Sequence, residues 1–106
     1  MPFCYHVVAF KLKPEMGETE KSELRERFLS MKTGCLQNEK PYILSIKGGD
    51  QTSKEFMAQG VDLVFVMEFA SEADRAYYHK QDTYHRELIP KCIAYTASGF
   101  GLDFSD

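Results

Sequence analysis

The 106-residue sequence predicts an α+β fold in which the elements follow the order β-α-β-β-α-β. Three observations support this order. Four short segments are rich in apolar and β-branched residues, and two segments between them carry apolar residues at helical spacing. Glycine or proline stands at most of the boundaries. An antiparallel sheet with both helices on one face, the ferredoxin-like fold, is the expected result.

The first strand and the first helix are both amphipathic. A strand is predicted at residues 5–12, YHVVAFKL, in which His6 points to the same side as the apolar residues Val8 and Phe10. A helix is predicted at residues 19–33, where apolar positions recur at helical spacing among charged residues. Gly34 is expected to stand near its end.

Three strands and a second helix complete the order. Strands are predicted at residues 42–47 and 61–69, and the second of them is apolar on nearly every position, so it should be buried or covered on both faces. Ser71 is a typical N-cap for the helix that follows. Pro90 is expected to break or kink that helix and to leave a short helical piece at residues 85–88. The last strand is predicted at residues 94–104.

The stretch at residues 69–85, FASEADRAYYHKQDTYH, is the densest in chemically useful side chains. It holds two of the three histidines and three of the six tyrosines. Tyr78 and His85 are seven residues apart, which places them on one face if the helix continues that far. His79 is displaced by one residue from Tyr78, faces elsewhere and is expected at the surface.

The predicted topology brings both ends of the chain to this helix. The last strand should lie antiparallel beside the first, so that Asp103 comes close to His6, and the helix should present Tyr78 and His85 nearby. A carboxylate beside His6 is expected to fix its tautomer and to raise its pKa from about 6.5 towards physiological pH. Each of the four residues also has a structural interpretation: a buried histidine, a core tyrosine or a solvated carboxylate.

Composition excludes several classes of function. The net charge is −3 and there is no basic stripe, which argues against nucleic-acid binding. The chain has no apolar segment of membrane length and no secretory signal, so a soluble cytoplasmic protein is expected. Its three cysteines and three histidines have neither disulfide nor metal-ligand spacing. The length predicts a single domain over residues 1–106.

The order and spacing of HVVAFKLK, FVMEF, SEADRAYY and LDF resemble the stress-responsive dimeric α/β barrel (Dabb) family over nearly the whole chain. The resemblance implies a homodimer in which two ferredoxin-like sheets pair face to face into a barrel. Such pairing would cover the apolar sheet face that two helices leave bare.

The chain also resembles a plant polyketide cyclase of that family, which implies a site made of His6, Tyr78, His85 and Asp103. His85 would be the general base, Tyr78 would donate a hydrogen bond to an enolate oxygen, and the other two would orient the substrate or tune His85. The turn before His85 is one residue longer than the family's His-Pro-x-His turn, so Tyr77 remains an alternative to Tyr78.

The implied activity is a cyclisation, or a related lyase or isomerase step, on a reactive carbonyl compound such as a poly-β-keto chain of secondary metabolism. No cofactor or metal is expected. Two alternatives stay open. One is a non-catalytic stress-responsive barrel in which the four residues are structural, and the other is an oxygenase, with or without haem, since other dimeric α/β barrels carry out oxidative chemistry.

Overall fold

A computed structural model, which describes residues 3–106, contains a four-stranded sheet in the order β4-β5-β1-β6 with every neighbouring pair antiparallel. The strands are β1 (Cys4–Leu12), β2 (Leu36–Gln37), β3 (Lys40–Pro41), β4 (Ile43–Asp50), β5 (Leu63–Phe69) and β6 (Thr96–Ser105), with β2 and β3 forming a separate small hairpin. The helices are α1 (Glu18–Leu29), α2 (Met31–Gly34), α3 (Glu72–Lys80) and α4 (Thr83–Tyr95). The predicted ferredoxin-like fold class is confirmed.

The core lies between one face of the sheet and the helices. The alternation of β1 and β5 sends every second side chain into it, as the period of a strand requires. Its buried apolar members are Cys4, Leu12, Leu24, Phe28, Met31, Cys35, Ile43, Leu63, Phe65, Met67, Phe69, Tyr78 and Leu88. His6 is buried on the same side, where the sequence places it.

The other face of the sheet carries exposed apolar side chains. Phe100, Leu102 and Phe104 of β6 stand opposite residues of β1 that point away from the helices, and Val66 of β5 belongs to the same face. We call the surface formed by these four residues the open face. Exposed apolar clusters of this kind mark interaction surfaces more often than free surface.

Two helix boundaries differ from the prediction. The single helix expected at residues 19–33 is two helices, α1 and α2, that meet at Ser30. Pro90 does not break α4, which runs through it to Tyr95, so β6 begins at Thr96. The break between the second pair of helices comes earlier, at Gln81 and Asp82, because the Asp82 side chain caps a new helix there.

The polar segments are also more ordered than predicted. Residues 36–41 form the β2–β3 hairpin, whose turn residues Asn38 and Glu39 both have positive φ. Strand β4 continues through Gly48, where a Cβ atom would lie 2.2 Å from the carbonyl oxygen of Val64. Only glycine permits this close approach. Among the helices of residues 3–106, none has both the length and the apolar character to span a bilayer.

Candidate functional site

The pairing of β1 with β6 places His6 opposite Asp103. Asp103 Oδ1 lies 2.7 Å from His6 Nδ1 and 2.9 Å from Nε of Arg75, a residue of α3. Because a carboxylate only accepts hydrogen bonds, His6 Nδ1 carries a proton. In the neutral ring Nε2 is therefore the unprotonated nitrogen.

Arg75 and burial together determine the protonation of the His6–Asp103 pair. Burial lowers the pKa of His6, and the Arg75 guanidinium lowers it further, so that the attraction of Asp103 is outweighed. Burial by itself would raise the pKa of Asp103, but the hydrogen bonds from Arg75 and His6 hold it below its usual value. The expected upward shift of His6 was wrong, because the sequence argument lacked Arg75 and the depth of burial.

Gly101 makes room for the His6 ring. A Cβ atom on Gly101 would lie 2.9 Å from His6 Cε1, closer than carbon atoms normally approach. The absence of a side chain on β6 at this point therefore lets the imidazole lie close to the strand while its Nδ1 reaches Asp103.

Tyr78 packs near both the buried His6 and the half-buried His85. Its ring centroid is 6.0 Å from that of His6 and 4.0 Å from that of His85, with which it is stacked at an interplanar angle of 29°. Tyr78 is 2% exposed, and its hydroxyl donates to Met31 Sδ at 3.9 Å. Burial raises the pKa of this phenol, which keeps its proton at any physiological pH.

His85 is held by a hydrogen bond from Nδ1 to the main-chain carbonyl oxygen of Tyr78 at 3.0 Å. Because a carbonyl oxygen only accepts, Nδ1 carries the proton and Nε2 is free. Burial lowers the pKa of His85 and outweighs both this hydrogen bond and the nearby charge of Asp82. The half-buried ring is therefore neutral at neutral pH and able to take up a proton at Nε2.

Tyr77, the alternative to Tyr78, points away from this cluster. Its hydroxyl donates to the carbonyl oxygen of Leu36 at 2.9 Å, and its ring packs edge-on against Tyr42. His79 is exposed, as predicted. Of the two adjacent tyrosines, Tyr78 is thus the one that contacts histidine.

Two residues in this region were missed by the sequence analysis. Arg75 binds Asp103 and lies over the Tyr78 ring, with its guanidinium carbon 5.6 Å from the ring centroid. Asp82 is buried and caps α4 at His85. The spacing of the sequence could have indicated both residues, because each stands three positions before a predicted site residue. Arg75 shares a helix face with Tyr78, and Asp82 is at the distance from His85 at which an N-cap residue binds a main-chain N–H.

An open cleft of about 550 Å³ lies beside the cluster, between α3 and the outer end of β6. Asp103 and Arg75 form part of its wall, together with Cys4, Glu72, Ala76, His79, Lys80, Phe104 and Ser105. His6 and Tyr78 are buried behind that wall. In the described range, 3–106, no group of three or more histidine, cysteine or carboxylate side chains is arranged to hold a metal ion.

The sequence was compared with models of protein families and with curated proteins. A family model described as the stress responsive A/B barrel domain matches residues 4–106. The comparison with curated proteins found no match.

Solved structures share the fold at low sequence identity. A hydroxynitrile lyase from Passiflora edulis is 15% identical, with a TM-score of 0.80 over 98% of this chain and 93% of that one. A dimeric ferredoxin-like protein of unknown function from Thermobifida fusca is 12% identical, with a TM-score of 0.79 over 99% and 92%. A Dabb family protein from Mesorhizobium loti is 16% identical, with a TM-score of 0.74 over 98% and 96%.

Proposed function

The chain belongs to the stress responsive A/B barrel family, and on this premise we propose that it is a small homodimeric enzyme. All 106 residues would form one domain. The enzyme catalyses, without a cofactor, the cyclisation of a poly-β-keto chain or a related lyase or isomerase step on a reactive carbonyl compound. Secondary metabolism is the setting in which such substrates arise.

The observation that carries this proposal is the state of His85. Its Nδ1 proton is committed to the Tyr78 carbonyl oxygen, so Nε2 has a free electron pair, and burial keeps the ring neutral. A positioned neutral imidazole is suited to remove a proton from a carbon between two carbonyl groups. The electron pair left on that carbon forms an enolate, whose carbon attacks a second carbonyl carbon of the same chain. The new carbon–carbon bond closes the ring as the C=O π bond opens to an alkoxide, which takes the proton back from the His85 imidazolium.

The other three residues support this step. Within residues 3–106 the acceptor of the Tyr78 hydroxyl is the thioether sulfur of Met31, which is a weak acceptor. Donating its hydrogen bond to an enolate oxygen instead would therefore give a stronger bond. His6, whose ring centroid lies 6.0 Å from that of Tyr78, and its partner Asp103 orient the substrate. Holding both reacting ends of a flexible chain in one place supplies a further part of the rate.

The cleft beside Asp103 supports an approach route for a small molecule to the Asp103 side of the site, whereas His85 is not part of its wall. Its volume of about 550 Å³ lies within the range of ligand pockets, roughly 300–1,000 Å³. Its wall mixes apolar groups such as Ala76 and Phe104 with polar ones, which suits a substrate of alternating carbonyl and methylene units.

The open face supports the homodimer. Its four apolar residues are exposed on the sheet side that carries no helix, and the Thermobifida fusca structure with the same fold is described as dimeric. A face shared by two copies through a twofold axis would bury the apolar side chains of both.

The test compares His85→Ala with His79→Ala, which removes an exposed histidine six residues earlier. The parent chain and both variants are incubated with a synthetic poly-β-keto thioester and, separately, with a hydroxynitrile, and products are followed by liquid chromatography and mass spectrometry. We expect turnover of one substrate class, a loss of about 100- to 10,000-fold in His85→Ala, and no loss in His79→Ala.

Two results would contradict the proposal. A parental rate in His85→Ala would remove the base assignment. Failure of the parent chain to convert either the poly-β-keto thioester or the hydroxynitrile would favour the non-catalytic barrel instead.

A further inference from the structure

Asp82 is a buried carboxylate that the proposed reaction does not use. Its side chain is 1% exposed, and it lies in the two-residue link between α3 and α4. A buried charged group is costly unless hydrogen bonds compensate it, so its partners indicate why it is retained.

The partners of Asp82 come from separate elements. One oxygen, Oδ1, accepts the main-chain N–H of His85 at 3.0 Å, and the other, Oδ2, accepts the hydroxyl of Tyr42 at 2.6 Å. Burial and the negative charge of Asp82 together raise the pKa of the neighbouring Cys35 thiol, which stays protonated. The carboxylate thus links the end of α2 and the start of β4 to the first turn of α4.

His85 depends on this carboxylate in two ways. The hydrogen bond from its main-chain N–H to Oδ1 fixes the backbone of His85. The position of the backbone in turn lets Nδ1 of the imidazole reach the Tyr78 carbonyl oxygen. The charges that act on the ring are the carboxylate of Asp82, which favours the protonated imidazole, and His79 and His6, which disfavour it along with burial. Of these three charged groups, Asp82 is the one that raises the pKa of His85.

We propose that Asp82 is a positioning residue for His85. Its carboxylate fixes the main-chain N–H of His85 and places a buried negative charge at the helical turn that carries the imidazole. The catalytic meaning of this proposal rests on the proposed function. The coupling between the two side chains does not, and it can be measured without a substrate.

The hydrogen bond from the His85 N–H to Asp82 Oδ1 is also what an ordinary helix cap would make. The test must therefore separate the effect of capping α4 from the effect of the negative charge on the imidazole. Asp82→Asn and Asp82→Ser both retain a side-chain oxygen that caps a helix well, and both remove the charge. Glu87→Gln is the matched control, because it removes an exposed carboxylate two residues from His85 on the same helix.

The measurement is the titration of the His85 ring by NMR in the parent and the three variants, with the His85 resonances identified as those that disappear in His85→Gln. The protonated ring loses a favourable charge in both Asp82 variants, so the pKa of His85 is expected to fall in both and to stay unchanged in Glu87→Gln. An unchanged His85 pKa in the two Asp82 variants, or an equal fall in Glu87→Gln, would overturn the proposal.

Kinetics with a converted substrate provide a second readout. In Asp82→Asn the acid limb of the kcat/KM profile should move to lower pH, and the plateau rate should fall because a weaker base removes the proton more slowly. A variant that merely loosened the helix would lower the rate without moving the limb. If His85→Ala proves fully active while the NMR shifts appear, the proposed function fails and the coupling stands.

Discussion

At the scale of single residues, the candidate site depends on a shared atom. Asp103 Oδ1 accepts hydrogen bonds from both His6 and Arg75, so the carboxylate is held between an aromatic ring on β1 and a guanidinium on α3. The ring of His6 keeps its place because Gly101 leaves space beside it. Small structural changes around Asp103 should therefore alter the position of the His6 ring.

Gly101→Ala should displace the His6 ring. The added Cβ would stand 2.9 Å from His6 Cε1 inside a buried site, so the ring must move and its bond to Asp103 must lengthen. Overpacking of this kind costs about 1–3 kcal/mol of unfolding free energy. Urea unfolding measures the cost, and the His6 ring resonances report the displacement.

Gly49→Ala is the control for this substitution, because a Cβ atom there would have no neighbour within 4 Å. We expect it to be neutral or slightly stabilising, since alanine restricts the unfolded chain more than glycine does. Equal stability of the two variants would mean that the space beside His6 is not needed.

The sequence predicts part of this residue-scale picture. The contact of His6 with Asp103 follows from antiparallel pairing, because the start of β1 then lies beside the end of β6. The direction of the His6 pKa shift could not be predicted. That direction depends on Arg75, whose long side chain extends from α3 to Asp103 on the sheet. The spacing of residues in the sequence does not predict this contact.

At the scale of elements, the division between α3 and α4 determines where His85 stands. Asp82 starts a new helix three residues before His85, and the chain turn at Gln81 and Asp82 lets the ring of His85 stack back on Tyr78. Pro90, which the sequence analysis took for the break, lies well inside α4. Capping side chains decided the helix boundary here, and a proline was tolerated at the cost of one hydrogen bond.

Pro90→Ala should stabilise the protein. Pro90 is exposed within α4, has no N–H to give to the Arg86 carbonyl oxygen and crowds that turn, whereas alanine restores the bond. We expect the free energy of unfolding to rise by about 1–3 kcal/mol. Thermal unfolding followed by circular dichroism measures the change.

Glu87→Ala serves for comparison, since it replaces another exposed residue of α4 by the same side chain. It should alter stability by only a few tenths of a kcal/mol. If Pro90→Ala is no more stable than the parent, the restriction that proline places on the unfolded chain outweighs the missing hydrogen bond.

At the scale of the whole molecule, the helices within residues 3–106 cover one face of the sheet and leave the open face exposed. The sequence predicts this face correctly, because β5 is apolar on both sides and the two-layer fold covers only one. The alternation of polar and apolar residues thus fixes which sheet side stays bare. This alternation does not identify the partner that covers the open face, because that depends on the shape and chemistry of the partner's own surface.

Leu102→Asp should dissociate the proposed homodimer. Leu102 is 61% exposed on the open face, and a buried carboxylate at the centre of an apolar contact is strongly unfavourable. Sedimentation velocity should find the parent as a dimer and this variant as a monomer of unchanged secondary structure.

Ile93→Asp is the matched control, because Ile93 is 68% exposed but lies on α4, away from the open face. It should remain dimeric. Dissociation of both variants alike, or a parent chain that sediments as a monomer at tens of micromolar, would contradict pairing through the open face.

The partnership of β1 with β6 has a consequence for the order of events during synthesis. His6 and Asp103 are 97 positions apart, so the ribosome releases the histidine long before its carboxylate exists. Until β6 arrives, β1 is the outer strand of a three-stranded sheet and exposes unpaired amide and carbonyl groups. The nascent chain therefore keeps this strand edge exposed until β6 has been made and has docked. Substitutions that slow the docking of β6 should reduce yield in cells before they alter the folded protein.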